Sequence, residues 1–411
     1  FMATQNDGVY KDFYALATGA GIGYETAPIK GFQIGMSGFF IYRLASNITE
    51  PCEESGKSSR YEVGLFDVMD IENGSDLDRL EDLYIRYSYK KSTITLGKQH
   101  IKTPFINPQD SRMRPTLVEG LELEWSEFNN LKLSGGWINR VSPRGTVKWF
   151  GIGETIGVYP VGSDVFGEPS AYKNHLTSAG IGYLGLIYKK RNLSFQAWDF
   201  YIENILNTAY LQGDWQPAIN KGRQNLVLAG QLIRQDAINH GGNLAQNLSY
   251  TPKGSNSWVL GARIGIKGDL QQINFNYTRI TAHGRFLMPR EWGREPLFTY
   301  MQRERNEGFG DVNAFSINFS RRLKNNLLLN TGYGHFLLPD VKNTGLNKYG
   351  IPSYSQFNGS LRYEFQKKLQ GLEMELIYVR KNSTGNTYGN PDYVINKVDL
   401  SHYSLILDYH F

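Results

Sequence analysis

A period-two alternation of apolar with small, polar or charged residues recurs over most of this 411-residue chain, and no other feature constrains the fold as strongly. Leu83, Ile85, Tyr87 and Tyr89 alternate with Asp82, Tyr84, Arg86 and Ser88. Phe32, Ile34, Met36, Phe40 and Tyr42 alternate with Gln33, Gly35, Ser37 and Arg43. The same pattern runs through Trp258–Ile266 and Phe357–Phe365. Side chains two apart on a strand share a face, so each stretch reads as an amphipathic β-strand. Taken one at a time, such strands fit a soluble sandwich as well as a membrane barrel. The fold class is all-β in either case.

The connections separate the two. Short turns near 27–31, 90–92, 128–130, 189–192, 217–222, 268–270, 323–326 and 367–371 alternate with long irregular segments at 46–78, 101–116, 143–175, 236–254, 282–310, 339–353 and 383–396. The connection near 203–207 is the one short member of the long set. Short turns on one rim and long loops on the other are the pattern of a transmembrane antiparallel β-barrel, with short periplasmic turns and long extracellular loops. Seventeen strands are complete between about Tyr10 and Phe411. An even strand number then requires one more before them, ending in Phe1–Thr4, which predicts about 18 strands and an incomplete N-terminal strand. The chain from 1 to 411 reads as one barrel. Its last strand, with Tyr403, Leu405, Leu407, Tyr409 and terminal Phe411 on one face, resembles the signal read by the outer-membrane barrel assembly machinery.

Composition agrees where it speaks. No apolar run approaches the roughly 18 residues a spanning helix needs, which excludes a helical membrane protein. Mean hydropathy is −0.42, as expected when lipid-facing and inward-facing residues average out. The chain has 26 Tyr, 22 Phe and 7 Trp, which suits aromatic girdles at two membrane interfaces. The lone Cys52 excludes an internal disulfide framework, and a net charge of +5 is too mild to argue for nucleic acid.

Catalytic and cofactor motifs are missing: there is no Walker loop, HExxH, GxSxG or CxxC. The glycines at 19, 21 and 23 lie inside a predicted strand with no helix after it, so a nucleotide-binding reading fails on context. No cofactor is expected. The acidic stretch Asp70–Asp78 reads as a solvated loop ahead of a calcium site, because its glycine is misplaced for an EF-hand.

Inward-facing charges carry the functional content. Arg43, Arg86, Arg140, Arg263 and Arg362 are predicted to point into the barrel from different strands. Segment 101–116 adds Lys102, Arg112 and Arg114 with Asp110, and folded into the lumen it would form a constriction. Glu119, Glu122 and Glu124 are expected to face it from the inner side of the next strand. Opposed guanidinium and carboxylate groups select permeants by charge and size. The bland alternative is that these charges pair with one another and only stiffen the wall.

Two stretches carry a family resemblance. Thr95-Leu-Gly-Lys-Gln99, leading into Thr103-Pro-Phe-Ile-Asn-Pro-Gln-Asp-Ser-Arg-Met-Arg-Pro-Thr-Leu-Val-Glu-Gly120, resembles the strand, constriction loop and strand of OprD-family porins, in the form found in Bacteroidota. Asp110, Arg112, Pro115, Glu119 and Gly120 stand in the family's order. Trp198–Tyr210 is similar to the family's short mid-chain loop. The resemblance implies eighteen strands, an arginine track along the channel wall and passive permeation of small hydrophilic solutes, carboxylates among them. It also implies a bacterial outer-membrane setting, with lipid and lipopolysaccharide as surroundings and a homotrimer as one arrangement. Two other readings stand beside it. One is a barrel subunit of a secretion or uptake assembly that acts through its long loops. The other is a barrel enzyme, for which no Ser/His or Asp/His spacing argues.

Overall fold

The computed structural model describes residues 1–53, 55–108 and 112–411. Eighteen strands of five or more residues form one closed antiparallel barrel. The first nine are β1 (Met2–Asn6), β2 (Phe13–Glu25), β3 (Phe32–Ser46), β4 (Arg79–Tyr89), β5 (Ser92–Gln99), β6 (Leu117–Trp125), β7 (Leu131–Ser142), β8 (Ile181–Lys190) and β9 (Leu193–Ile202). The rest are β10 (Leu206–Trp215), β11 (Gln224–Ala237), β12 (Asn256–Gly268), β13 (Gln271–Ile280), β14 (Val312–Lys324), β15 (Leu327–Leu337), β16 (Tyr354–Glu364), β17 (Leu372–Ser383) and β18 (Leu400–Tyr409). Each strand pairs with the next, and β1 pairs with β18 from Met2↔Ser404 to Asn6↔Leu400, which closes the ring. Closure leaves no sheet edge, so the backbone groups of the wall are satisfied without water. Among the described residues no helix is long and apolar enough to cross a membrane.

The outer wall is the apolar face read from the sequence. On β12, Trp258, Leu260, Ile264 and Ile266 are exposed, while Ser257, Val259 and Gly265 are buried. On β18, Tyr403, Leu407 and Tyr409 are exposed and Ser404 is buried. Tyr24, Tyr89, Trp215 and Tyr409 are exposed near the short-turn ends of their strands, and Tyr201 and Trp258 near the long-loop ends. An arginine placed on this face would sit in hydrocarbon. Leu260→Arg is therefore expected to cost about 2–4 kcal/mol, read as a lower urea midpoint for the folded, heat-modifiable form; an unchanged midpoint would mean that this face does not meet lipid.

Two short-turn features follow from backbone geometry. Lys90 (φ 51°) and Arg191 (φ 52°) open the two-residue turns after β4 and β8 in the left-handed conformation that matches hairpin twist. Gly97 and Gly120 pair across β5 and β6, and a Cβ on either would meet a neighbouring carbonyl oxygen at 2.2 or 2.1 Å. Those two positions in the motif are glycine for steric reasons.

One part of the interior is packed solid. Phe105 makes edge contacts with Phe200 (5.3 Å) and Tyr210 (5.8 Å) and lies 6.4 Å from Phe286. Ile106, Trp292, Leu297 and Met301 are buried in the same cluster, so segments 101–108 and 282–310 fill this side with apolar side chains.

Candidate functional site

Segment 282–310, between β13 and β14, crosses the interior and is fastened strand by strand. The Phe298 N–H donates to Gln231 Oε1 of β11 (3.3 Å), and the Thr299 hydroxyl donates to Thr278 of β13 (2.8 Å). The Gln356 amide of β16 donates to the Gln302 carbonyl (2.7 Å). Arg303 Nη2 donates to Ser404 Oγ of β18 (2.7 Å), and Lys381 Nζ of β17 donates to Glu304 Oε2 (2.9 Å). Residues on either side of positions 109–111 dock on it: the Asn107 N–H donates to the Trp292 carbonyl (3.2 Å), and the Thr116 hydroxyl to the Glu291 carbonyl (3.4 Å).

Buried carboxylates hold these segments to their neighbours. Glu291 accepts the Gly157 and Tyr159 N–H groups at 3.1 and 2.9 Å, tying segment 143–175 to 282–310. Glu304 meets Arg60 at 3.1 Å, Lys381 at 2.9 Å and Arg290 at 3.8 Å. Burial works against its charge, but Arg60, Lys381 and Arg290 outweigh it and hold the carboxyl below the usual range. Glu307 pairs with Arg290 and accepts the Tyr349 hydroxyl at 2.9 Å.

Between these segments lies a cavity of about 740 Å³. Lys57, Arg60, Arg112, Arg144, Lys173, Arg290, Arg303, Arg305 and Lys397 line it; among the described residues Glu304 is its one carboxylate. Tyr61, Tyr159, Tyr300 and Tyr349 share the wall. Burial, then Lys57 and Arg60, bring Lys397 down to about 7. The cavity therefore gains positive charge as the pH falls through neutrality. In general, a low-dielectric wall in which cations outnumber their counter-charges attracts anions.

Of the residues picked from the sequence, Arg112 lines this cavity. Arg43 is on the inner face of β3, where its guanidinium donates to the carbonyls of Ile71 (2.7 Å) and Glu72 (2.5 Å) and fastens the 46–78 segment. Among the described residues no three His, Cys, Asp or Glu side chains are grouped to hold a metal ion. Arg86 is on the inner face of β4, 3.4 Å from Glu25. Arg263 donates to Asn276 Oδ1 (2.6 Å) and stacks over Phe298 at 4.3 Å. Arg362 pairs with Glu373 near the short-turn rim. Glu122 accepts the Tyr183 hydroxyl at 3.4 Å, and Glu124 pairs with Lys132. Lys102 is exposed. Asp110 lies outside the described residues.

Three expectations are corrected. Arg114 is 2% exposed and donates to the Leu77 carbonyl (2.9 Å), so it braces two segments instead of lining the cavity. Glu119 has the parity of Leu121 and Leu123, so it faces outward and pairs with Lys98 at 2.5 Å. Arg140 sits beside it at 4.0 Å, because the bulge opposite Glu119 and Gly120 inserts a residue and inverts the facing. Trp149 covers this outer group, with Lys98 4.0 Å from its ring centre.

Sequence reasoning missed Arg60, Arg144, Arg290, Arg303 and Arg305. One signal was available. Segment 282–310 interleaves Arg285, Arg290, Arg294, Arg303 and Arg305 with Glu291, Glu295, Glu304 and Glu307 among large apolar residues. That mixture suits a segment buried inside a barrel better than one in solvent.

Comparison with known proteins agrees with this architecture. Residues 56–259 match the family model "outer membrane porin, OprD family". No curated relative matches the sequence. Among solved structures, Pseudomonas aeruginosa OccK9 (OpdG) superposes with TM-score 0.77 at 14% identity, covering 99% of this chain and 95% of that one. Acinetobacter baumannii OccAB3 gives TM-score 0.75 at 15% identity, covering 100% and 96%. Pseudomonas aeruginosa OpdK with vanillate gives TM-score 0.74 at 13% identity, covering 99% and 95%.

Proposed function

We propose that the chain is a bacterial outer-membrane porin, a non-enzymatic channel like the OprD-family porins whose model matches residues 56–259, and that it passes small anionic solutes, carboxylates among them. The observation that carries this reading is the cavity wall, with nine Lys or Arg side chains and Glu304, a carboxylate already committed to Arg60 and Lys381. Segments 101–116 and 282–310 together act as the constriction. Guanidinium forks grip a carboxylate through two parallel hydrogen bonds, and the tyrosines offer ring faces to an organic anion. The structure of OpdK with vanillate, a carboxylate, supports the substrate class by analogy. Outside the pore, the outward-facing, half-buried group of Lys98, Glu119 and Trp149 with the exposed Arg140 supports contact with lipopolysaccharide headgroups at the long-loop rim. Trimerisation and a Bacteroidota-type subgroup rest on the sequence resemblance alone.

The test is single-channel conductance in a planar bilayer, with the reversal potential measured across a salt gradient. Anion preference is expected in the natural protein. Arg112→Ala should shift the reversal potential toward zero. Arg114→Ala should leave that potential in place and lower the unfolding temperature, because Arg114 braces the Leu77 segment and is absent from the cavity wall. A cation-selective channel, or equal effects of the two variants, would overturn the assignment.

A further inference from the structure

The arginines of segment 282–310 divide by what they touch. Arg285 is spent on backbone carbonyls of Ser163, Asp164 and Thr344. Arg290 is spent on Glu304 and Glu307. Arg303 and Arg305 differ: among the described residues no carboxylate lies within ion-pair distance of either. Arg303 gives one donor to Ser404 Oγ (2.7 Å), and Arg305 gives one to the Arg290 carbonyl (3.3 Å). Their remaining side-chain N–H groups make no hydrogen bond among the described residues, although Arg305 is buried, Arg303 is half-buried and both line the cavity.

Other cations stand close by. Arg112 and Arg144 reach the same cavity from two other segments. Burial, then Arg144 and Arg303, hold the Arg112 guanidinium well below its ordinary range, which places these groups within electrostatic reach of one another. The backbone adds an independent sign. Arg303 has φ +73°, a left-handed conformation that L-residues with long side chains rarely adopt. Such a conformation persists where the surroundings hold it, commonly at a ligand site.

We infer that Arg303 and Arg305, with Arg112 and Arg144 on neighbouring segments, form a binding site for a phosphoryl dianion, either inorganic phosphate or the terminal group of a phosphomonoester. This rests on the reading of the lumen as an anion path. Each added negative charge gains from every guanidinium in reach, so a dianion is favoured over a monocarboxylate. Convergent guanidiniums suit a group that carries both charges on one tetrahedral centre, with oxygens arranged for forked donors. A dicarboxylate would have to spread the same charge along its length. A cavity of about 740 Å³ has room for a small phosphomonoester.

The experiment compares how inorganic phosphate, succinate and acetate reduce the chloride current through single channels at pH 8. Phosphate is expected to act at about tenfold lower concentration than either carboxylate. In a variant with Arg303→Gln and Arg305→Gln that advantage should vanish, the three anions then acting at similar concentrations. Succinate equal to or better than phosphate on the natural protein would overturn the inference, and that result needs no variant to fold. An anion-selective channel indifferent to phosphate would overturn it and leave the carboxylate reading standing. A cation-selective channel would remove both.

Discussion

Replacing Glu304 by Gln is expected to destabilise the folded protein by about 3–5 kcal/mol, the cost of leaving partners of a buried ion pair without their counter-charge. Glu304 is 4% exposed and Lys381 is 0% exposed. Loss of the carboxylate leaves Lys381, Arg60 and Arg290 facing one another across the same buried space. The three belong to a strand and two crossing segments, so the damage falls on the docking of those segments and spares the ladder of the wall. The signature is a lowered thermal midpoint together with noisy, fluctuating conductance steps. Adding Lys381→Met should restore part of the loss, since that change removes one of the stranded charges. A quiet channel with an unaltered midpoint would show that the network does not hold segment 282–310 in place.

Excising the crossing segment is expected to have the largest effect on permeation. Phe286 and Phe309 already bridge one another, the Phe286 N–H donating to the Phe309 carbonyl (2.9 Å). The residues between them can therefore be replaced by a short glycine-rich turn without moving β13 or β14. The change removes Trp292, Leu297, Phe298 and Met301 from the interior, and Arg290, Arg303 and Arg305 from the cavity wall. Conductance should rise severalfold, and the reversal potential should fall toward that of an unselective pore. The heat-modifiable barrel should persist, because its strands pair without this segment. A conductance no larger than that of the natural protein would place the narrowest point elsewhere.

The wall was legible in the sequence and most of the site was not, for one physical reason. Lipid imposes the same demand on every strand, so Leu83, Ile85 and Tyr87 on β4 or Trp258, Leu260 and Ile264 on β12 announce their facing by parity alone. Parity fails where a bulge interrupts it. Parity alone points Arg140 inward, because the extra residue opposite Glu119 and Gly120 has no mark in composition. The cavity depends on long connections, which have no period. Arg60, Arg144 and Arg303 come from three of them and meet only because buried carboxylates on one segment find amides or cations on another. Arg112 could be found because a motif surrounded it. Its near neighbour Arg114 belonged to the same motif but turned toward the Leu77 carbonyl, a choice set by packing that sequence does not display.

Segment 282–310 leaves the wall between β13 and β14, yet it is fastened to β16, β17 and β18, the last strands of the ring. Those anchor points are made later in the chain than the segment itself. The contacts that narrow the lumen therefore need the C-terminal strands in the wall, so the constriction ties the middle of the chain to its last three strands. A change in β16, β17 or β18 that loosens these anchors thus reaches the lumen without touching the segment that narrows it.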